Sequence, residues 1–207
     1  DNSSDYAKGL QKFFVDEFGA KGGQVVSEEA YLQKDTDFKA ALTKIKAANP
    51  DIIFVPGYYQ EVGMIVKQAR ELGITQPIVG GDGWDSAKLI EIAGADNLNN
   101  CYFGNHYSAD DTSDEVKTFV ANYQKAYNVK PDAPAALAYD SVMILAKAIK
   151  DANSLDADKV KDALAKISNL KAVTGTITYD ENHDPVKSAV ILTFKEGKQS
   201  FVTKIQP

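Results

Sequence analysis

The sequence predicts an α/β fold in which helices flank a parallel sheet. Short apolar runs alternate with stretches of helical periodicity through the first half of the chain, and turn residues separate them. The resulting order, α-β-α-β-α-β-α-β, places a helix between successive strands, and such crossovers produce a parallel sheet with helices on both faces. With 207 residues, the chain is long enough for one large domain or for two small lobes.

The first predicted helix follows a run of N-cap candidates, Asn2 to Asp5, and the segment Gln24 to Tyr31 then begins as a strand. A second helix is expected to be capped by Asp35 or Thr36. It ends before Pro50, because the residue that precedes a proline is pushed out of the α region.

The next strand is the continuous apolar run DIIFVP, Asp51 to Pro56, which is typical of a strand that is covered on both faces. GYYQE and a helix follow it. The third strand, Pro77 to Val79, leads directly into GGDGWDS, Gly80 to Ser86. A short helix, Ala87 to Ala93, and a strand, Cys101 to Phe103, complete this half. The turns after these strands share one edge of the sheet, where ligands bind in open α/β folds.

The second half is predicted to contain three helices with no strand between them. They cover roughly Val116 to Tyr127, Ala135 to Ala152 and Asp156 to Ile167. These helices must cover a sheet that is formed elsewhere. Strands are predicted at Val173 to Tyr179 and, on either side of the hairpin signal Glu196-Gly197, at Ala189 to Phe194 and Phe201 to Ile205.

Composition and charge exclude several classes of function. The net charge is −6 and no basic run is present, which argues against nucleic-acid binding. No apolar run approaches the roughly 20 residues of a membrane-spanning helix. Cys101 is the only cysteine, so no intramolecular disulfide or thiolate metal cluster can form. The chain opens at DNSSDYAKGL, a helix start without its preceding strand, which predicts a fragment or a processed chain.

No catalytic set is visible in the sequence. The nucleophile elbow, the phosphate-binding loop and the common zinc motifs are all missing. His106 and His183 are far apart in polar sequence and do not predict a metal site. Gly80 to Gly83 carries an acid and no lysine, which would repel a phosphate. The sequence therefore predicts a protein that is not an enzyme, with no cofactor and no metal.

Aromatic and acidic side chains are concentrated at the strand ends. Tyr6 lies at the start of the first helix, Tyr58 and Tyr59 follow DIIFVP, and Asp82 and Trp84 follow the next strand. Aromatic walls around one fixed carboxylate suit a small amphipathic cation, such as the ammonium end of an amino acid. This pattern predicts a ligand-binding edge.

A plainer interpretation of the same residues stays open at this point. GGDGWDS can be a β-to-α turn in which Asp85 or Ser86 is the helix N-cap. Tyr6 and one of the two adjacent tyrosines, Tyr58 or Tyr59, can be aromatic residues of the core or its rim.

Six stretches of the sequence resemble one known family as an ordered set. They are DYAKGL, DTDFKAALTKIKAANPDIIFVPGYY, KQARELGI, GGDGWDS, AYDSVMILAKAI and TGTITYDENHDPVKSAVIL. The set closely resembles the leucine/isoleucine/valine-binding proteins, which are the solute receptors of branched-chain amino-acid ABC importers. The resemblance covers essentially all 207 residues, and it implies the type I periplasmic-binding-protein fold.

That fold has two α/β lobes joined by three hinge crossings, with the ligand in the cleft. The resemblance assigns residues 1–105 to most of the C-terminal lobe and residues 106–188 to the later-chain part of the N-terminal lobe. Residues 189–207 return to the C-terminal lobe as its closing strands. The expected protein is therefore an incomplete two-lobe protein with half of a binding site. The missing N-terminal lobe, or a second copy through a swap or a dimer, would complete it.

The resemblance also implies roles for single residues. Tyr6 and Tyr58 match ligand-contacting aromatics, and Asp82 matches the acid that pairs with the α-ammonium group of the ligand. Tyr59 and Trp84 are expected as further wall residues. The implied partners are a branched-chain or similar aliphatic amino acid and the ABC permease subunits in the membrane. The parent protein would carry a signal peptide and be exported, either to the periplasm or as a lipid-anchored protein on the outer face of the cell membrane.

Two alternatives remain. The same fold can serve as a sensor or regulator domain for an amide, a urea-like compound or an aromatic small molecule, because side-chain specificity lies partly in the absent lobe. An enzyme built on a flavodoxin-like or hydrolase α/β domain would need a nucleophile, a phosphate loop or a metal set at a strand end, and none is present.

Overall fold

The computed structural model describes residues 1–207, which form seven α-helices and eight β-strands. The helices are α1 (Asp5–Ala20), α2 (Lys39–Ala48), α3 (Tyr59–Glu71), α4 (Ala87–Ala93), α5 (Asp114–Tyr127), α6 (Ala133–Ala152) and α7 (Ala157–Leu164). The strands are β1 (Ile53–Phe54), β2 (Ile78–Gly80), β3 (Cys101–Asn105), β4 (Leu170–Ala172), β5 (Gly175–Tyr179), β6 (Pro185–Val186), β7 (Ala189–Lys195) and β8 (Lys198–Ile205). No helix combines the length and the apolar composition that a membrane span requires.

Five strands form one sheet in the order β1-β2-β3-β7-β8. Its first three strands are parallel, with Ile53 opposite Ile78 and Ile78 opposite Cys101. The prediction of a parallel sheet with crossover helices is confirmed for these strands. Glu196 and Gly197 join β7 to β8, and both have positive φ, as a two-residue type I′ hairpin turn requires.

The other three strands form a separate antiparallel sheet, β4-β5-β6. Leu170 pairs with Ile177, and Thr178 pairs with Val186. Ile177 also packs with Ile144 of α6 in a small apolar cluster. The predicted strand Val173–Tyr179 is therefore present, although it begins two residues later as β5.

The chain divides into two compact units, one of residues 1–104 and 192–200 and the other of residues 105–191 and 201–207. The first break lies next to the predicted boundary at residue 105. Residues 201–207, however, group with the second unit, whereas the prediction kept residues 189–207 together. The ion pair between Lys204 Nζ and Asp111 Oδ2, at 3.0 Å, provides a physical reason, because it holds the end of β8 to that unit.

The core of the first unit includes the inward face of α3 and the aromatic residues of the sheet. Val62, Val66 and Ala69 of α3 are fully buried, as the helical spacing predicts. In the sheet, the ring of Phe103 stacks against Phe194 at a centroid distance of 5.4 Å. This ring contact joins β3 to β7, and α3 connects β1 to β2 with its buried face in the core.

Arg70, at the end of α3, donates hydrogen bonds to several backbone carbonyls. Its partners are the carbonyl oxygens of Ile74, Gln76, Asn97 and Asn99, at 2.7–3.2 Å. One guanidinium therefore joins the loops that enter β2 and β3.

In the second unit, α5 and α6 carry apolar side chains that the unit itself leaves exposed. Val142 is 66% exposed, and Tyr127 and Met143 are exposed as well. A cleft of about 730 Å³ lies along these helices and β4. The expectation that the helices cover a sheet formed elsewhere stays a prediction for this exposed face, whereas Ile144 of α6 packs on Ile177 of β5 within the unit.

Two local predictions are wrong. The segment Gln24–Tyr31 contains no strand, because no neighbouring strand pairs with it. α2 begins at Lys39 and not near Thr36, and neither predicted cap is used. Instead, the side chain of Gln68 accepts the N–H of Phe38 at 2.8 Å and donates to the carbonyl of Thr36 at 2.8 Å. A tertiary contact therefore sets this helix start.

Candidate functional site

The candidate site lies at the carboxyl ends of β1 and β2. Tyr58 follows β1 as the N-cap residue of α3, and Asp82 follows β2 as the first residue of a short 3-10 helix, Asp82–Trp84. Because β1 and β2 are parallel and in register, the two turns emerge at the same edge of the sheet. The sequence predicts this juxtaposition, and the structure confirms it.

Tyr6 connects the two turns. Its hydroxyl donates to Asp82 Oδ1 at 2.6 Å and accepts the backbone N–H of Gly83 at 2.9 Å. Its ring stacks on Tyr58 with a centroid distance of 5.1 Å and an interplanar angle of 28°. Ser4 caps α1 by accepting the N–H of Ala7, and it thereby fixes the helix start that carries Tyr6. We refer to Tyr6, Tyr58 and Asp82 as the edge triad.

The electrostatics of the edge triad favour a neutral phenol beside a carboxylate. Burial raises the pKa of Tyr6 well above its ordinary value, and the hydrogen bond to Asp82 raises this pKa further. Tyr6 therefore keeps its proton at neutral pH. Its hydroxyl donates this proton in the hydrogen bond that orients the carboxylate of Asp82. A carboxylate accepts at both oxygens, so Asp82 can bind a cationic donor while Tyr6 fixes its orientation. The stacked rings of Tyr6 and Tyr58 add a π surface that attracts cations.

The glycines of GGDGWDS permit close approach and do not supply positive φ. Gly80, Gly81 and Gly83 all lie outside the positive-φ region. A Cβ at Gly83 would lie 2.5 Å from the carbonyl oxygen of Gly57, and a Cβ at Gly80 would collide with the indole of Trp84. Gly83 therefore lets the turn that carries Asp82 reach the turn that carries Tyr58.

Trp84 lies in the core and not on the surface of the site. Its side chain is fully buried, and its indole Nε1 donates to the carbonyl of Val55 at 3.1 Å. Its ring also packs against Phe103 at a centroid distance of 6.1 Å. Trp84 thus anchors the turn to the core. Tyr59, the other expected wall residue, is half-buried at the first position of α3.

The remaining residues of GGDGWDS hold the turn in place. Ser86 is the N-cap of α4 and accepts the N–H of Lys88 at 3.2 Å. Of the two predicted caps, Asp85 and Ser86, the helix therefore uses Ser86. Asp85 accepts a hydrogen bond from Gln199 Nε2 at 2.7 Å. Sequence reasoning missed Gln199, because its partner is 114 positions away and no motif marks the pair.

Comparison with known proteins places this geometry in a family. The family model described as "Periplasmic binding protein" matches residues 1–199. A leucine-binding protein, LivK, of Thermotoga maritima is 38% identical and superposes with a TM-score of 0.94, over 100% of this chain and 59% of that one. The substrate-binding protein LivJ of Streptococcus pneumoniae, solved with isoleucine, is 42% identical with a TM-score of 0.88, over 100% and 58%.

The curated relatives agree with the structural ones. A Leu/Ile/Val-binding protein of Rhizobium johnstonii is 31% identical over 180 residues, which are 86% of this chain and 48% of that protein. The chain spans about half the length of the curated relatives it matches. It belongs to the periplasmic binding protein family, has the type I fold of that family over the part it spans, and has Leu/Ile/Val-binding proteins among its relatives.

Proposed function

We propose that this chain is part of the solute-binding component of an ABC importer, and that it binds the ammonium end of a branched-chain or similar aliphatic amino acid. The observation that carries the proposal is the edge triad, in which Tyr6 donates to Asp82 and stacks on Tyr58 at the carboxyl edge of a parallel sheet. The relatives' names, which refer to leucine, isoleucine and valine, support the choice of ligand class.

The chemistry of the triad fits an α-ammonium group. An ammonium has three donors and no acceptor, so it needs a carboxylate and a second acceptor or a π face. Asp82 supplies the carboxylate, and the paired rings of Tyr6 and Tyr58 supply the π face. Losing one partner of a desolvated ammonium–carboxylate pair costs about 2–5 kcal/mol, which is enough to dominate the affinity for a small ligand.

This chain alone is proposed to bind weakly, because it spans about half the length of its relatives. The groups that hold the ligand carboxylate and much of its side chain are assigned to the part that it does not span. In the intact protein, the ligand would bridge two lobes and favour their closure, and the closed form would deliver the amino acid to the permease subunits. We place that protein outside the cell membrane, in the periplasm or attached by a lipid anchor.

Nuclear magnetic resonance titration of the 207-residue chain tests the role of Asp82 directly. Leucine should perturb the amides near Tyr6, Tyr58 and Asp82 with a Kd on the order of 1 mM or weaker. 4-Methylpentanoate, which is leucine without its ammonium group, is the matched control ligand and should leave these amides unchanged. Asp82→Asn keeps the shape of the side chain and should abolish the response to leucine.

Four results would count against the proposal or a part of it. Equal responses to leucine and 4-methylpentanoate would remove the ammonium group from the argument. An unchanged response in Asp82→Asn would remove the carboxylate. Preferential binding of an amide, a urea-like compound or an aromatic acid would favour a sensor or a regulator. Submicromolar binding of leucine to the 207-residue chain would overturn the view that it carries only part of the site.

A further inference from the structure

The acid of the edge triad lies on a very short element, the 3-10 helix Asp82–Trp84. Within this turn, the N–H of Asp85 donates to the carbonyl of Asp82 at 2.9 Å, and the N–H of Trp84 donates to the carbonyl of Gly81 at 3.1 Å. A single 3-10 turn has few hydrogen bonds, and their geometry is poor. The direction of the Asp82 carboxylate therefore depends on contacts that hold the turn from outside.

Tyr6 holds one end of this turn, and a residue from late in the chain holds the other end. Tyr6 contacts Asp82 and the N–H of Gly83. At the other end, the C-cap residue Asp85 accepts a hydrogen bond from Gln199 Nε2 at 2.7 Å, at a half-buried position. A hydrogen bond to a carboxylate is stronger than one between neutral groups, so this contact is a substantial restraint on the turn.

Gln199 is carried by a rigid support. It is the second residue of β8, which follows the hairpin turn at Glu196-Gly197. In β7, before that turn, the hydroxyl of Thr193 donates to the carbonyl of Cys101 in β3 at 2.8 Å, and this bond is buried. A Cβ on Gly197 would lie 3.4 Å from the Cβ of Ala95, so the hairpin also packs close to the segment after α4. The donor to Asp85 is therefore fixed in place.

We propose that Gln199 is a positioning residue of the amino-acid site, which acts through Asp85 to direct the Asp82 carboxylate toward the ammonium group of the ligand. The two acids are coupled directly, since the N–H of Asp85 donates to the carbonyl of Asp82. When the Gln199 donor is lost, Asp85 loses a restraint, this backbone bond opens more often, and Asp82 spends less time in the binding orientation. The role rests on the proposed function, because it requires that Asp82 binds an ammonium group.

A neutral amide suits this role better than a cationic side chain. A lysine or an arginine at position 199 can also donate to Asp85, but its positive charge would lie near Asp82 and compete with the ammonium group of the ligand. Gln199 carries no charge. It therefore orients Asp85 and leaves the negative charge of both carboxylates to attract the ligand.

Amide hydrogen exchange of the 207-residue chain, followed by nuclear magnetic resonance, tests the coupling without a ligand. Gln199→Met keeps the length of the side chain and removes its donor, so the amides of Gly83 and Asp85 should exchange about tenfold faster. The amide of Val55, which is paired in the sheet, should keep its rate. Lys198→Met is the matched control and should leave all three rates unchanged, because Lys198 is exposed and adjacent strand residues face opposite sides.

The same variants test the effect on the ligand. In a titration with leucine, Gln199→Met should raise the Kd about tenfold, because the apparent affinity falls with the fraction of chains in the binding orientation. Lys198→Met should change the Kd by less than about twofold, since it removes only an exposed charge. Circular dichroism confirms that each variant is folded.

A reversed pair separates the hydrogen bond from simple packing. Gln199→Glu alone places two carboxylates together, so it should lose both the amide protection and the affinity for leucine. Adding Asp85→Asn exchanges donor and acceptor and keeps the total charge of the chain. The double variant should therefore restore the exchange rates and the Kd to within about threefold of the wild-type values.

Three outcomes would overturn the positioning role alone. Unchanged exchange at Gly83 and Asp85 in Gln199→Met would show that the turn does not depend on Gln199. Faster exchange with an unchanged Kd would make Gln199 a residue of the fold and not of the site. A double variant that restores neither quantity would assign the effect to packing. A failure of the proposed function gives a different result, because leucine would then not bind the wild-type chain, and the positioning role would fall with it whatever the exchange rates.

Discussion

Replacing Gly83 with alanine tests whether close backbone approach builds the edge triad. The new Cβ would lie 2.5 Å from the carbonyl oxygen of Gly57, which is about 0.9 Å short of ordinary contact at 3.4 Å. The neighbour is backbone, so it cannot swing aside as a long side chain would. Either the turn that carries Tyr58 or the turn that carries Asp82 must move.

The expected cost follows from two opposing contributions. Forcing an extra methyl group into a packed site costs about 1–3 kcal/mol. Alanine also lowers the conformational entropy of the unfolded chain relative to glycine, and this effect offsets about 0.4–1 kcal/mol of the packing cost. The net loss of stability is about 1–2 kcal/mol, which corresponds to a melting temperature lower by about 2–8 °C for a chain of this size.

Gly104→Ala is the matched control, because no heavy atom lies within 4 Å of the Cβ that it would add. Trp84 is the only tryptophan and is buried one residue from Gly83, so its fluorescence reports unfolding at the site. Gly83→Ala should melt earlier by this probe, and Gly104→Ala should melt at or slightly above the wild-type temperature. Equal melting of the two variants would refute the argument that Gly83 is required for close approach.

Two further predictions concern buried polar groups. Trp84→Phe removes the donor to the carbonyl of Val55 and part of a fully buried side chain. The variant should therefore have a free energy of unfolding that is lower by about 2–4 kcal/mol, as measured by urea denaturation with circular dichroism. A loss below about 0.5 kcal/mol would contradict the core role of Trp84. Burial lowers the pKa of Lys187 to about 8 in the folded chain, so the unfolded chain binds more protons between pH 8 and the ordinary lysine pKa of 10.5. The free energy of unfolding should therefore rise with pH across this window, and Lys187→Met should remove the rise. If the rise persists in the variant, a group other than Lys187 causes it.

Local patterns predicted the elements whose partners lie nearby in the sequence. The inward face of α3 and the type I′ turn at Glu196-Gly197 depend on neighbouring residues, so periodicity and turn chemistry identified both. The juxtaposition of Tyr58 and Asp82 was also predictable, because parallel strands bring their carboxyl ends to one edge.

The failures occur where a distant group decides the local structure. Val25 and Val26 suit a strand, but the segment that contains them has no strand beside it to pair with. The start of α2 depends on the side chain of Gln68, which no local signal reveals. Trp84 is expected at the surface of the site, but Gly80 leaves room for its indole to fold back into the core.

The hydrogen bond between Gln199 and Asp85 has a consequence for the order in which the chain matures. The turn that carries Asp82 lies in the first half of the sequence, yet the donor that holds Asp85 is 114 positions later. β7, which neighbours β3 in the sheet, is also late in the sequence. Contacts of such long sequence separation form slowly and cannot form before the later partner is synthesised. A nascent chain on the ribosome therefore carries Tyr6, Tyr58 and Asp82 long before it can complete the edge, because Asp85 gains this donor only after Gln199 has been synthesised.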